Sequence, residues 1–188
     1  KNIVNPAAAA RIFLFICFSK SMSTWVSPVT ATGETAYSLP LFANVDVVSV
    51  ATPLTYLKDA DKITALSGHF SIMDLFVGST GGCIGETCAV LLILGGIFLI
   101  ARKVITWHIP VSILGTVAVF SGIMHMIDPV YAMPHVVLMS GGLVLGACFM
   151  ATDYVTSPMT GKGQLVYGVC IGLLTVIIRN WGAYPEGM

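Results

Sequence analysis

The sequence is poor in charge. Only 10% of its 188 residues are Asp, Glu, Lys or Arg, and 9 basic residues balance 9 acidic ones. Without a basic cluster, neither nucleic acid nor an anionic surface is an expected partner. No nucleotide-binding glycine loop and no cysteine cluster is present, so neither a dinucleotide site nor an iron–sulfur site is expected in this stretch. The 5 cysteines (Cys17, Cys83, Cys88, Cys148 and Cys170) are odd in number and lie mostly in apolar segments, which excludes a disulfide framework. Cys83 and Cys88 are too far apart for a Cys-x-x-Cys pair, and no second histidine stands at metal spacing from His125, so no protein metal site is expected. The chain opens at Lys1 with neither methionine nor signal peptide and stops just after "YPEG", and it reads as an excerpt lacking both ends.

Apolar residues fill the space that charge leaves. They make up 56% of the chain, and the mean hydropathy is +0.89, outside the range of soluble domains. An integral membrane protein is implied. A helix crosses the hydrocarbon in about 20 apolar residues, because lipid offers no partner to backbone amides and a helix satisfies them internally. Candidate spans are Thr87 to Ala101, Ile109 to Ile127, Pro134 to Ala151 and Gln164 to Ile178, with a shorter run from Ala7 to Phe18. The expected fold is an all-α polytopic membrane protein of about four to five transmembrane helices, some interrupted or re-entrant.

Three regions follow from the hydropathy pattern. Residues 1–19 hold a short helix after Asn5-Pro6, proline being suited to a first helical turn. Residues 20–70 form a long connection, and Trp25, Tyr37, Phe42 and Tyr56 within it predict an ordered extramembrane loop. Residues 71–188 form the transmembrane region. Arg102-Lys103 marks a cytoplasmic end by the positive-inside rule, which places the 20–70 loop outside; Arg179 falls on the outer side and disagrees.

Three segments carry signs of broken helix. They are "NPAAAAR", the glycine-rich stretch Gly78 to Gly85, and "TDYVTSPMTGKG" from Thr152 to Gly163. Freed amides in such segments line sites inside membrane proteins. "GGCIGETC" brings glycines that permit close backbone approach, with Glu86 at the head of an apolar span. Asp153 is the stronger of the remaining acids, clustered with Thr152, Thr156, Ser157 and Thr160, and Lys162 could pair with a phosphate or with Asp153 or serve as a cytoplasmic anchor. Asp128 beside Pro129 reads as an interfacial loop residue and His125 as a polar helix end. The glycines of "MSGGLVLGACF" read as small-residue helix packing.

In "NVDVVSVATPL", Thr52 precedes a proline, which pushes it into extended geometry with small neighbours Ser49 and Ala51 beside it. Such a hydroxyl could carry a phosphate, although a short motif alone favours an ordinary turn residue. Taken in order, "KNIVNPAAAARIFLF", "DVVSVATPL", "GSTGGCIGETC", "FMATDYVTSPMTGKGQLVYG" and "CIGLLTVIIRNWGAYPEGM" resemble the D subunit of the Rnf complex. They also resemble its sister, the B subunit of Na⁺-translocating NADH:quinone oxidoreductase. "SVATPL" and the compact loops favour the former.

The resemblance implies a membrane component of an ion-translocating ferredoxin:NAD oxidoreductase, an EC 7 type translocase inactive alone, in a prokaryotic inner membrane. It implies an FMN esterified through its phosphate to Thr52 on the outer face, installed by a flavin transferase that reads the upstream acid, here Asp46. Ser49 and Ala51 match the same motif, while Val50 stands where the family often has glycine. Gly82, Gly85 and Glu86 match a segment that approaches flavin and the ion path, and Asp153 and Thr156 match one that adjoins the flavin-bearing core. A second, non-covalent flavin such as riboflavin is compatible with the family, though no residue places it. Implied partners are other membrane subunits, including a second covalent-FMN subunit, iron–sulfur subunits, and Na⁺ or H⁺. From the residues alone, a passive channel or a secondary transporter would suit the interrupted helices equally, with a scaffold subunit as a third, lesser reading.

Overall fold

The computed structural model describes residues 4–18, 76, 88–128 and 131–182. Among these residues the chain is helical, with no strand. In chain order the elements are α1 (Pro6–Cys17), α2 (Ala89–Ala101), α3 (His108–Ile127), α4 (Pro134–Met139), α5 (Leu143–Leu145), a π-helical turn (Gly146–Met150) and α6 (Gly161–Trp181).

Among the described residues, only α3 and α6 are long and apolar enough to cross a membrane, at 20 and 21 residues with mean hydropathy 1.7 and 1.6. At 1.5 Å per residue each spans about 30 Å, the thickness of a hydrocarbon core. α3 buries Ile109, Ile113, Val117 and Ser121, one stripe at a spacing of four, and turns Val111, Val119 and Met126 outward. α6 buries Gln164, Gly168, Gly172, Thr175 and Arg179 and exposes Leu165, Val166, Leu174, Ile177 and Trp181. A helix with its polar residues inside and its large apolar residues outside reverses the soluble pattern and matches one surrounded by lipid.

The contacts between these two helices fix their direction. Thr106 Oγ1 donates to Gln164 Oε1 at 2.9 Å just ahead of α3, and Asn180 Nδ2 reaches Met124 Sδ at 3.3 Å near its end. Between those joints, Gly168 lies against Ser112 and Gly172 against Thr116. The partner positions rise together, so α3 and α6 run parallel. The chain between them must therefore return across the bundle, and 134–151 does so: Pro134 packs by Gly122 near the end of α3, and Ala151 lies beside Tyr167 in the first half of α6.

That returning segment, expected as one continuous span, is broken. α4 stops at Ser140, whose backbone is extended (φ −87°, ψ 134°), and Gly141 takes φ 68°, a left-handed conformation that favours glycine. Helix resumes at Leu143 and widens to π geometry, the Ala151 amide bonding back five residues to the Gly146 carbonyl at 2.8 Å. The glycines of "MSGGLVLGACF" thus serve two purposes. Gly141 makes the break, which small-residue packing alone did not predict, while Cys148 and Phe149 pack against Gly96 and Gly95 of α2. α2 ends in a Schellman arrangement: Lys103 sits at φ 56° and the Val104 amide reaches the Leu99 carbonyl at 3.0 Å.

α1 has only 12 residues, about 18 Å, too few to cross the hydrocarbon. Its N-terminus is docked on the π turn. Asn5 Oδ1 accepts the Ala7 amide at 2.9 Å, and Asn5 Nδ2 donates to the Met150 carbonyl at 3.2 Å. The first proline-marked segment therefore meets the π turn that leads into the second, 145 residues further along the chain.

Candidate functional site

The break in the returning segment exposes backbone carbonyls within the bundle, where water is scarce and each must find a donor. Arg179 provides it. The residue is 7% exposed, and its Nη1 and Nη2 donate to the carbonyls of Val137 at 2.8 Å and Ser140 at 3.2 Å. The Ser140 hydroxyl adds a 3.4 Å bond to the same Val137 oxygen. A guanidinium at a helix C-terminus also meets the negative end of the helix dipole. Arg179 is thus an interior group, and its sequence position outside the last apolar run misled the count of outer-face charges.

At the far end of the segment the chain makes a polar turn through 151–160. Thr152 Oγ1 returns to the Cys148 carbonyl at 2.8 Å and closes one end of the π turn. Asp153 is half-buried; its Oδ2 accepts Thr156 Oγ1 at 3.2 Å and its Oδ1 the Val155 amide at 3.5 Å. These local bonds hold the turn and leave lone pairs on both carboxylate oxygens. Gln164 ties the turn to the bundle, its Nε2 donating to the Pro158 carbonyl at 3.1 Å while its Oε1 receives Thr106. Lys162 is exposed at the head of α6, and the carboxylate of Asp153 is held by the turn rather than by that ammonium.

Beside this turn a groove of about 180 Å³ opens between α1, the returning segment and α6. Its walls are mostly apolar, with Gly142 and Gly146 on one side, Ile171 on another, and Asn5, Arg11 and Tyr167 adding polar groups to the lining. Glycine on that wall lets ligand or helix come close to the backbone.

Of the residues assigned from sequence, the structure brings together Asp153 and Thr156. Thr52, Ser49, Ala51, Asp46, Gly82, Gly85 and Glu86 lie outside the described residues, as does the stretch Gly78 to Gly85 expected to interrupt a helix. Among the described residues no group of three His, Cys, Asp or Glu could hold a metal ion. At the opposite end of the bundle, Asp128 caps α3 and His125 Nδ1 donates to the Tyr131 carbonyl at 2.6 Å. Sequence reasoning missed the structural weight of Arg179 and of Gly168-x-x-x-Gly172. The second was readable, since two glycines four apart in an apolar helix are the usual signature of close helix packing.

Similarity to known proteins places this geometry in a lineage. The family described as NQR2, RnfD, RnfE matches residues 1–188. The D subunit of the Na(+)-translocating ferredoxin:NAD(+) oxidoreductase complex of Acetobacterium woodii is 44% identical, the match covering 100% of this chain and 52% of that protein. The D subunit of the proton-translocating ferredoxin:NAD(+) oxidoreductase complex of Clostridium ljungdahlii is 40% identical, with 100% and 55% covered. The D subunit of the ion-translocating oxidoreductase complex of Stutzerimonas stutzeri is 38% identical, with 100% and 57% covered. The chain spans about half the length of the curated relatives it matches. With the whole chain matched, this membrane protein belongs to the NQR2, RnfD, RnfE family.

Proposed function

We propose that the chain is the membrane-embedded part of the D subunit of an ion-translocating ferredoxin:NAD oxidoreductase, carrying electrons through an FMN on Thr52 and coupling their passage to Na⁺ or H⁺ movement. The observation that carries this reading is the match along all 188 residues to proteins named for that activity. Those names specify sodium in one relative and protons in another, so the coupling ion stays open between them. Electron input and output belong to other members of the complex.

FMN would supply the one- and two-electron chemistry. The chain's own residues would do the rest. The Thr52 hydroxyl is the tether that keeps the cofactor at a fixed distance from its neighbours, and Asp46 is the acid read by the transferase. The α3–α6 pair is the rigid frame on which the polar turn at Asp153 and Thr156 is mounted. Arg102, Lys103 and Lys162 all gather at the end of the bundle where α3 and α6 begin, which supports a cytoplasmic orientation for that end. The buried Arg179 no longer opposes it. With that end inside, α2 begins toward the outer face, in keeping with an outer position for the Thr52 loop.

A channel or transporter without a redox cofactor is favoured by one observation, the discontinuous segment at Ser140–Gly142. Flavin separates the two readings. When the full-length protein is produced with its flavin transferase and run on a denaturing gel, the band should fluoresce, and Thr52→Ala should remove the signal. A dark wild-type band overturns the electron-carrier assignment.

A further inference from the structure

The geometry points to the break at Ser140 as a monovalent-cation site whose occupant in this structure is the guanidinium of Arg179. We propose that Na⁺ binds the same carbonyls when that side chain is absent or withdrawn.

Three features carry the assignment. First, the end of α4 leaves the carbonyls of Val137 and Ser140 without helical partners, and both turn toward one point, since the two nitrogens of a single guanidinium reach them. The Ser140 hydroxyl stands beside them, giving a third oxygen at the same place. A half-helix C-terminus with unwound carbonyls is the oxygen-rich, partially negative environment that a hard monovalent cation takes inside a membrane protein. Second, the site already holds a positive charge that is 7% exposed. Burying an ionised group is costly unless the surroundings reward it, so this pocket is built to stabilise a cation. Third, the surrounding backbone is irregular in a way that serves the carbonyls. Ser140 is extended and Gly141 takes φ 68°, which turns the chain away and leaves the oxygens on the α6 side.

The guanidinium is tethered to a rigid element. α6 is locked to α3 by the Gly168 and Gly172 contacts, so Arg179 can leave only by changing its own rotamers or by movement of α4. A tethered charge and a mobile ion competing for one set of oxygens would make occupancy of the break responsive to sodium. The site does not depend on FMN at Thr52, and its readout contains no flavin.

The test uses the full-length protein in its purified complex, unfolded thermally in matched sodium chloride and choline chloride. Arg179→Met removes the charge and keeps an apolar stem. Relative to wild type, it should lose stability in choline and recover part of it in sodium, with a sodium-specific rise in its unfolding midpoint of about 2–4 °C. Arg179→Lys keeps a cation on the tether and should show no sodium-specific rise beyond that of wild type. An Arg179→Met complex equally impaired in both salts, or one that cannot be recovered in either, overturns the site. So does an Arg179→Lys variant that loses stability as severely as Arg179→Met, because charge would then not be what the carbonyls require.

Discussion

Where α3 meets α6, backbone approaches backbone; along 134–151, backbone meets side chains. In the first region Gly168 and Gly172 remove the Cβ atoms that would hold the helices apart, and Ser112 and Thr116 fill the space while bonding to their own helix, to the Ile109 carbonyl at 3.0 Å and the Ser112 carbonyl at 2.7 Å. The backbone along that seam is satisfied within each helix, so association rests on dispersion and shape. In the second region the helix stops, kinks and widens, and the carbonyls it frees are answered one at a time: Val137 and Ser140 by Arg179, Cys148 by Thr152, Met150 by Asn5. Close packing gives a rigid frame, and irregular backbone gives interior oxygens able to bind.

The contrast predicts that the frame fails by overpacking. A Cβ at Gly172 would lie 2.8 Å from Thr116 Cβ and 3.1 Å from the Ile113 carbonyl, neither of which can move without shifting α3. Gly172→Leu should therefore cost about 3 kcal/mol or more and sharply reduce the yield of folded protein. Gly115→Ala, where a Cβ meets nothing within 4 Å and alanine is the better helix former, should hold or slightly raise the thermal midpoint. Equal outcomes for the two glycines would show that the α3–α6 seam is not what holds the frame.

The broken region should fail differently, through loss of single polar partners. Asn5→Ala removes both the cap on α1 and the donor to Met150, and should cost about 1–2 kcal/mol, read as a lower unfolding midpoint. Asn5→Asp keeps an oxygen for the Ala7 amide and loses the bond to Met150, so its difference from wild type isolates the joint between α1 and the π turn, and its difference from Asn5→Ala isolates the cap. If Asp matches Asn in stability, that joint contributes nothing and α1 and the π turn are merely neighbours.

This division explains how much the sequence revealed. Hydropathy located α2, α3 and α6 to within a few residues, because a run of apolar side chains is a local signal. The polar cluster at Asp153 and Thr156 was legible for the same reason, the two being three residues apart and joined by a 3.2 Å bond. The break at Ser140–Gly142 falls on a Ser-Gly-Gly step that reads equally well as helix packing, and the arginine that satisfies its carbonyls is 39 to 42 residues away. Arg179 was misplaced for the converse reason. A charge following an apolar stretch reads as a boundary marker, and only its distant partners reveal it as interior. The groove, likewise, is assembled from residues near Asn5, Gly146 and Tyr167 that no local pattern connects.

The smallest of the expected effects tests whether the break is a built feature or an accident of the run. Gly141 holds φ 68°, where an L side chain crowds its own carbonyl at a cost of about 1 kcal/mol. Gly141→Ala should lower the midpoint by that modest amount, far less than Gly172→Leu, because only the local backbone is strained and α6 keeps its seat on α3. Were the segment free to straighten into continuous helix, alanine would be the better residue there and the substitution would stabilise the protein instead. A lowered midpoint means that the chain retains the break against its local propensity, because Arg179 and the carbonyls it holds outweigh the single turn of helix forgone.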